Sequence, residues 1–502
     1  MTPERIDLVH DLVTSAASVS PRRPAIVTAE GAVFFADFDR QIEAVAAWVH
    51  ERTGSGDRVA VIADNGASYA RLYYGVPRAG RLLVLINQRL SPGEQIGQLA
   101  AASPAVLLGD ARYLAALPDV THRVRSLRHV QRLDDDWHRV EHDWRPLQAG
   151  IAPDEPVWLL FTSGSTGAPK GVVHTHRSIT TAVRGSVAGR SVREGGVYLL
   201  PFPMCHVAGY NMLVHHSTRS TVLPVAAFRP DEFVAAVNAH GVTSCSLAPT
   251  MLHALLAHLE RTGDTVPTLR DVAYGSAAIP ADLLRRALDR LNVNLHQGYG
   301  MTETGGNVTF LSPADHRAGA AGDSSILATA GYPHDEVEIR IASDDGGIGE
   351  ILVRGAQVAA GYWPGPTPAT VDGWLPTGDV GRFDDAGRLV VVDRSKDVII
   401  TGGENVSSRE VEDVVSTHPD VERVAVVGVP DDYWGEAICA VVVARPGAEL
   451  AGPDLVAHVR AHLAGFKRPR HVLFVEALPL TSNGKVAKNL VRTYARAEVA
   501  AG

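Results

Sequence analysis

Short apolar runs alternate along most of this chain with amphipathic stretches of helical period. Arg58–Ala63 and Leu82–Ile86 read as strands. Between them Ser68–Val76 reads as a helix that Pro77 stops. Gly93–Ala102 reads as the next helix, and the alternation resumes with Asp231–Gly241, Val242–Leu247 and Thr250–Arg261. Pro280 opens a helix over Pro280–Leu291, as a first-turn proline does. Alternation of this kind predicts an α/β fold of packed layers. From about Glu336 the texture changes to strands and turns: Val337–Ile341, Glu350–Arg354 and Arg388–Asp393. The last stretch, from Lys396 to the end, reads as a compact α+β segment. The expected organisation is therefore a large N-terminal domain of packed sheets and helices over 1–395 and a small mobile α+β C-terminal domain over 396–502.

Length supports this division, since 502 residues exceed what one ordinary core holds. A hydrophobic fraction of 45% belongs to a folded protein, and no apolar stretch is long enough to span a bilayer. The net charge of −9 gives no electrostatic reason to expect nucleic acid or an anionic membrane as partner. The cysteines, Cys205, Cys245 and Cys439, are far apart and odd in number. They form no zinc spacing and point to a reducing compartment. With no signal-peptide core near Met1, the expected location is the cytoplasm.

The densest chemistry lies in Thr162–Gly171, Thr-Ser-Gly-Ser-Thr-Gly-Ala-Pro-Lys-Gly. Its hydroxyls and glycine N–H groups can approach a phosphate closely, and Lys170 adds a charge. The run Val157–Phe161 before it reads as a buried strand, and Gly171–His176 after it has β character. A Walker A loop would open a helix instead. Taken alone, such a cluster can also be a plain surface loop. Gln297–Thr304 follows a short strand, Val293–Leu295. Its glycines, Gly298 and Gly300, flank Tyr299 and leave room for a planar ring. Thr302 can donate to a phosphate, and Glu303 can hold Mg²⁺ shared with phosphates. Asp379, in Thr377-Gly378-Asp379, can accept from two ribose hydroxyls. Two further stretches, Asp393–Asp397 and Thr401–Asn405, read as a hinge beside a narrow backbone passage. Lys485 projects from an Asn483-Gly484 turn. Each of these alone is matched by an ordinary turn. His174-x-His176 lacks a third ligand, so a metal pair is not expected. Gly322–Ile326 resembles a phosphopantetheine attachment serine only superficially.

In this order and over this length, the set resembles the adenylate-forming superfamily of acyl-CoA synthetases, peptide-synthetase adenylation domains and firefly luciferase. The resemblance runs from roughly residue 20 to residue 490. It implies an active site between the two domains and two half-reactions. A carboxylate attacks the α-phosphorus of Mg-ATP to give acyl-adenylate and pyrophosphate. A thiol, usually that of coenzyme A, then displaces AMP. By resemblance, Thr162, Ser163, Gly164, Ser165, Thr166 and Lys170 cradle the β- and γ-phosphates. Thr302 contacts the α-phosphate and Glu303 the Mg²⁺. Tyr299, in Gln297-Gly298-Tyr299-Gly300, stacks on adenine, with Gly275, Ser276 and Ala277 on the other side. Asp379 and Arg394 hold the ribose. Lys485 bridges the carboxylate and the α-phosphate. Lys396 is the hinge, and rotation there exchanges Lys485 for Gly402, Gly403, Glu404 and Asn405, which line the pantetheine channel.

Leu200–Asn211 corresponds to the family's Pro-x-x-aromatic-His stretch, and His206 matches the histidine bordering the acyl site. Cys205 stands where an aromatic is usual, and Tyr210-Asn211 where aliphatics often stand. With His215, His216 and the open Gly305-Gly306-Asn307, these imply a roomy, partly polar pocket. An aryl, short or functionalised acid is favoured over a long alkyl chain, unless Tyr210 and the histidines face the core. Ser407-Ser408-Arg409 departs from the usual tyrosine-proline and leaves the acceptor less defined. The expected partners are a small acid with coenzyme A or a carrier protein, and a homodimer is left open. Alternatives are a free-standing enzyme that loads a carrier protein, or activation of nitrous acid with an amine acceptor. A nucleotide-binding pseudoenzyme is the remaining one, against which Lys170, Glu303 and Lys485 argue.

Overall fold

The computed structural model describes residues 6–133, 150–162, 170–275, 279, 281–343, 347–365, 367–394, 397–401, 404–431, 434–481 and 484–501. The chain divides into two compact units, one of residues 1–339 with 353–375 and one of residues 340–352 with 376–502.

The first unit carries two large sheets among its described residues. The seven-stranded sheet runs Gly361–Trp363, Lys170–Thr175, Pro156–Thr162, Leu82–Leu85, Arg58–Ile62, Val106–Gly109, His129–Arg132. Leu82–Leu85 and Val106–Gly109 are buried at every position. That is why they are continuous apolar runs rather than alternating ones: helices cover both faces of a parallel sheet. The nine-stranded sheet runs Tyr332–Pro333, Gly306–Leu311, Asn294–Met301, Asp271–Gly275, Ser244–Leu247, Val197–Leu200, Thr221–Pro224, Pro24–Thr28, Gly31–Phe34. Its six adjacent strands from Pro24–Thr28 to Asn294–Met301 are mutually parallel. Their carboxyl ends share one edge of the sheet, where open α/β sheets bind ligands.

Two local readings change. Pro77 does not stop its helix, which spans Ala67–Arg78. The proline sits in the last turn, and the chain leaves one residue later with Ala79 N–H bonded to Gly75 and Val76 carbonyls. The short strand expected at Val293–Leu295 continues as Asn294–Met301. Its glycines admit the antiparallel neighbour: a Cβ on Gly298 would lie 1.9 Å from Asn307 Nδ2, and one on Gly300 2.1 Å from the Gly306 carbonyl oxygen. On that face the room left by both glycines is already taken, at a register shift between Tyr299 and Gly300.

A four-stranded sheet runs Val337–Ala342, Gly349–Gly355, Leu375–Phe383, Leu389–Arg394, of which only Leu389–Arg394 lies wholly within the second unit. In the second unit a five-stranded sheet has Gly435–Ala444 at its centre, flanked by Val421–Asp431 and by Ile399–Thr401, with Glu404–Val406 outside. His471–Phe474 also pairs with the central strand. The helices Ser408–Ser416 and Gly452–His462 and the helix Lys488–Ala501 complete it.

Candidate active site

The sheets place the two ends of the Thr162–Gly171 segment. Thr162 ends one strand and Lys170 begins the next, directly opposite in an antiparallel pair. The Thr162 hydroxyl lies 3.4 Å from the Lys170 carbonyl oxygen. Ser163, Gly164, Ser165 and Thr166 lie outside the described residues. Gly361–Trp363 pairs with the strand that Lys170 opens, Tyr362 opposite Val172. Lys170 Nζ then stands 3.3 Å from the centre of the Tyr362 ring, a cation–π contact.

Tyr362 also joins Lys170 to Glu303. Its half-buried hydroxyl is pushed up to about 12, first by burial and then by the Glu303 charge and their hydrogen bond. The phenol therefore stays protonated and donates to the carboxylate. Glu303 sits in the tight turn Thr302–Thr304. The turn is held from several sides. The Thr302 carbonyl accepts from His174 Nε2 at 2.7 Å, and the Glu303 carbonyl accepts from Ala359 N–H at 2.8 Å. The Thr304 hydroxyl donates to the Gly306 carbonyl at 2.7 Å, and Gln357 Nε2 donates to the carbonyls of Thr304 and Asn307. His174 is fully buried, and burial lowers it to about 4, so it serves as a neutral hydrogen-bonding strut. His176 starts the following helix rather than continuing the strand. Its Nδ1 accepts from Val9 N–H at 3.0 Å, away from His174.

Gly275 ends its strand opposite Gly298, and a Cβ on it would lie 2.5 Å from the Gly298 carbonyl oxygen. Close approach of the two backbones thus requires glycine. Tyr299 and Gly300 follow on the half-buried end of that strand. Ser276 and Ala277 lie outside the described residues.

The segment around His206 is pinned by residues the sequence reading passed over. Asn65 donates to the Phe202 and Val225 carbonyls and accepts from Met204 N–H at 2.8 Å. The Tyr73 hydroxyl donates to the Met204 carbonyl. His206 is half-buried. Cys205 is buried, which pushes its thiol up to about 12 and leaves it unreactive. Tyr210 and Asn211 spend their polar groups in the core: Arg190 donates to the Tyr210 hydroxyl at 2.8 Å and to Asn211 Oδ1 at 2.6 Å. A Cβ on Gly306 would strike the Tyr210 ring at 2.7 Å, so the space this glycine leaves is filled by tyrosine. Gly305 has φ +64° and lies against His174. His215 stacks on Tyr198, and His216 bonds the Tyr74 hydroxyl and the Ala25 carbonyl. Both are core residues.

In the second unit, Asp379 is buried and pairs across the strands with Arg394. Its N–H donates to the Thr377 hydroxyl, whose own proton goes to the Ile351 carbonyl. Lys485 is exposed on a turn closed by Thr481 N–H to the Lys485 carbonyl at 2.7 Å, with Gly484 at φ +77°. Lys396, the expected hinge, and Gly402 and Gly403 lie outside the described residues, as do the side chains of Arg394, Glu404 and Asn405. Asp393 has a structural task. Its Oδ2 accepts from Ser408 N–H at 2.7 Å and from both the Ser407 and Ser408 hydroxyls. This caps the helix Ser408–Ser416 and gives the Ser407-Ser408 departure a physical use. Among the described residues no cluster of three metal-ligating side chains occurs, and no helix is long and apolar enough to cross a membrane.

The family model of AMP-binding enzymes matches residues 13–363, and that of their C-terminal domain matches residues 410–485. A feruloyl-CoA synthase of Amycolatopsis is 34% identical over 492 residues, covering 95% of this chain and 96% of the relative. The fatty acid–[acyl-carrier-protein] ligase ScoC of Streptomyces coeruleorubidus is 31% identical over 501 residues, covering 95% and 94%. The solved structure of the amide bond synthetase McbA from Marinactinospora thermotolerans superposes with a TM-score of 0.86 at 32% identity, covering 97% of this chain and 99% of that one. The chain belongs to the AMP-binding enzyme family of the adenylate-forming superfamily and is an ATP-dependent, acid-activating ligase.

Proposed function

We propose that this enzyme converts an aryl, short or functionalised carboxylic acid to its acyl-adenylate and passes the acyl group to coenzyme A. The observation that carries the nucleotide-activating part of this reading is the Lys170–Tyr362–Glu303 constellation, and the acid class rests on the likeness to a feruloyl-CoA synthase. The constellation sets a cation and a carboxylate against one tyrosine, at the mouth of a Ser/Thr/Gly loop. A cation for phosphate oxygens beside a single carboxylate for a phosphate-bound cation is what nucleotide activation needs. Glu303 fits Mg²⁺ in this sense: one half-buried carboxylate, with the nucleotide's own phosphates and water completing the shell. When bound, Mg²⁺ would neutralise charge on the phosphates.

A carboxylate cannot expel oxide, so the hydroxyl-equivalent oxygen must first become part of AMP. Ser163, Ser165, Thr166 and Lys170 would hold the pyrophosphate end as leaving group. Thr302 would donate to the α-phosphate from a turn that His174 keeps rigid. Tyr299 would face adenine, and Asp379 with Arg394 would take the ribose. Lys485 would stabilise the charge that builds as carboxylate oxygen meets phosphorus. In the second half-reaction Lys396 would act as the pivot, and Gly402–Asn405 would border the thiol's path. His206 would edge the acyl site, with Cys205, Tyr210, Asn211 and Gly305 behind it as packing.

The assay is acid-dependent ATP–pyrophosphate exchange over aryl, short, medium and long acids, and over nitrite with aryl amines. Release of AMP is then followed with coenzyme A, a carrier protein or an amine as acceptor. Exchange without any acid preference for aryl or short substrates, or fastest exchange with long alkyl acids, overturns the substrate reading. An amine acceptor is the second reading, favoured by the likeness to an amide bond synthetase. It predicts acid- and amine-dependent AMP release that coenzyme A does not raise.

A further inference from the structure

Lys485 stands where a closed turn runs directly into a helix. Leu480 and Val486 form a bridge, and Thr481 N–H donates to the Lys485 carbonyl at 2.7 Å. Ala487 N–H donates to the Pro479 carbonyl at 2.8 Å, and the helix Lys488–Ala501 begins at the next residue. Only Val486 and Ala487 separate Lys485 from that helix, so any displacement of its first turn reaches Lys485 with little slack.

The helix packs Val491, Ala495 and Val499, four residues apart, into the apolar cluster of Val427, Val429 and Leu478. Apolar burial is non-directional, and so narrow a stripe leaves the position along the helix axis loosely set. Two cations one turn apart supply the direction. Lys488 Nζ donates to the Ser408 hydroxyl at 2.6 Å and meets Glu412 Oε1 at 2.9 Å. Arg492 donates to Asp397 Oδ1 at 2.8 Å.

Each acceptor of Lys488 is itself held. The Ser408 hydroxyl donates its own proton to Asp393 Oδ2 at 2.8 Å, and Ser408 N–H donates to the same oxygen at 2.7 Å. Glu412 Oε1 accepts from Val426 N–H at 2.7 Å. Burial pushes the Glu412 carboxyl up, against the pull of the Lys488 charge. Ser408 and Asp393 are buried, and Lys488 is half-buried. The protons along the path are consistent: the ammonium gives to the hydroxyl, the hydroxyl gives to the carboxylate, and the carboxylate only accepts.

Asp393 lies on the strand Leu389–Arg394, whose Arg394 is opposite Asp379. The path Asp393–Ser408–Lys488 thus leads from the strand pair that carries Asp379 and Arg394 to the turn that carries Lys485. A shielded ion pair contributes little net stability, because desolvation offsets the attraction. What it fixes is geometry. We propose that Lys488 is a positioning residue for adenylation, which sets the Lys485 turn relative to Asp379 and Arg394. The proposal rests on the reading of Lys485 as the adenylation lysine and adds the group that aims it.

The test is ATP–pyrophosphate exchange, with the fastest acid of the aryl, short, medium and long panel, in Lys488→Met and Lys488→Arg, alone and combined with Lys485→Ala. Lys488→Met should lower kcat by about 10–100-fold, the scale of a misplacement of about 1 Å, with KM for ATP and acid within about twofold. Thiolation of preformed adenylate should stay within about threefold of wild type, because that step does not use Lys485. Lys488→Arg keeps a cation for both acceptors and should hold kcat within about threefold. In the Lys485→Ala background Lys488→Met should cost nothing further, since nothing is left to aim. Ser408→Ala cuts the middle of the path without stranding a charge. It should give a smaller loss of the same kind, about 3–10-fold, and serves as the test if thermal melting shows Lys488→Met unfolded.

The same loss from Lys488→Met with and without Lys485 overturns the proposal, and so does equal loss in both half-reactions. Exchange that needs Lys485 but is untouched by Lys488→Met rejects the positioning alone. Undiminished exchange in Lys485→Ala, or none with any acid in wild type, rejects the underlying reading, and the proposal falls with it.

Discussion

Replacing Tyr362 by phenylalanine deletes one oxygen and keeps the ring under Lys170. The lost bond runs from a phenol to the Glu303 carboxylate. Hydrogen bonds to charged groups contribute about 1.5–3 kcal/mol when well shielded. Both partners are only half-buried, so the lower end of that range applies after solvent screening. At 1.36 kcal/mol per decade, about 1.5 kcal/mol corresponds to roughly a tenfold effect. On the proposed reading, the bond would hold the carboxylate in place for a phosphate-bound cation. Tyr362→Phe should therefore raise the Mg²⁺ concentration for half-maximal pyrophosphate exchange by about tenfold. Rate at saturating Mg²⁺ should stay within about threefold of wild type, because the phenol meets no reacting atom. The assay is a Mg²⁺ titration at fixed ATP, with thermal melting as the folding control. An unchanged or tightened Mg²⁺ dependence, with normal folding, would refute the reasoning, since it would mean that the phenol competes with the cation or is irrelevant to it. Tyr362→Leu, which also removes the ring from Lys170, should in addition raise the KM for ATP.

Three further outcomes are expected. Lys485→Ala should slow adenylation by about 10²–10³-fold while sparing thiolation of preformed adenylate, and equal loss in both half-reactions would reject that division of labour. His174, His176, His216 and His316 are each lowered by burial to about 4 and fold as neutral rings. Below 6.5 the unfolded chain binds the extra protons, so their stabilisation is complete above pH 6.5 and is lost as pH falls toward 4. By pH 5 each costs about 2 kcal/mol, and the melting temperature should drop steeply over this window; a flat profile would contradict the burial. Gly300→Ala would place its Cβ 2.1 Å from the Gly306 carbonyl oxygen, and the forced strand shift should cost about 1–3 kcal/mol with loss of exchange activity, read by chemical denaturation.

The strands and helices of the first unit were legible because their apolar runs and helical periods are local. Pro77 misled by two residues, since only the exit path of the chain shows that the helix end is close enough to accept it. The motif residues were legible because their spacing is local too: Thr162 to Lys170, Gln297 to Thr304, Asp379, Lys485. Arg190 was not, because nothing in its neighbourhood in the chain marks an arginine that bonds Tyr210 and Asn211.

By itself the sequence determined the family and the chemistry of nucleotide activation, because a handful of Gly, Ser, Thr, Lys and Glu positions in fixed order carries both. The tertiary structure decided the surroundings. It brought Tyr362 between Lys170 and Glu303 by pairing strands far apart in the chain. It turned Tyr210, His215 and His216 into core groups, and filled the space left by Gly306 with a tyrosine ring. A side chain's role depends on which face it presents and what packs there, and that is set by strand register and helix packing, which the local pattern of residues does not encode.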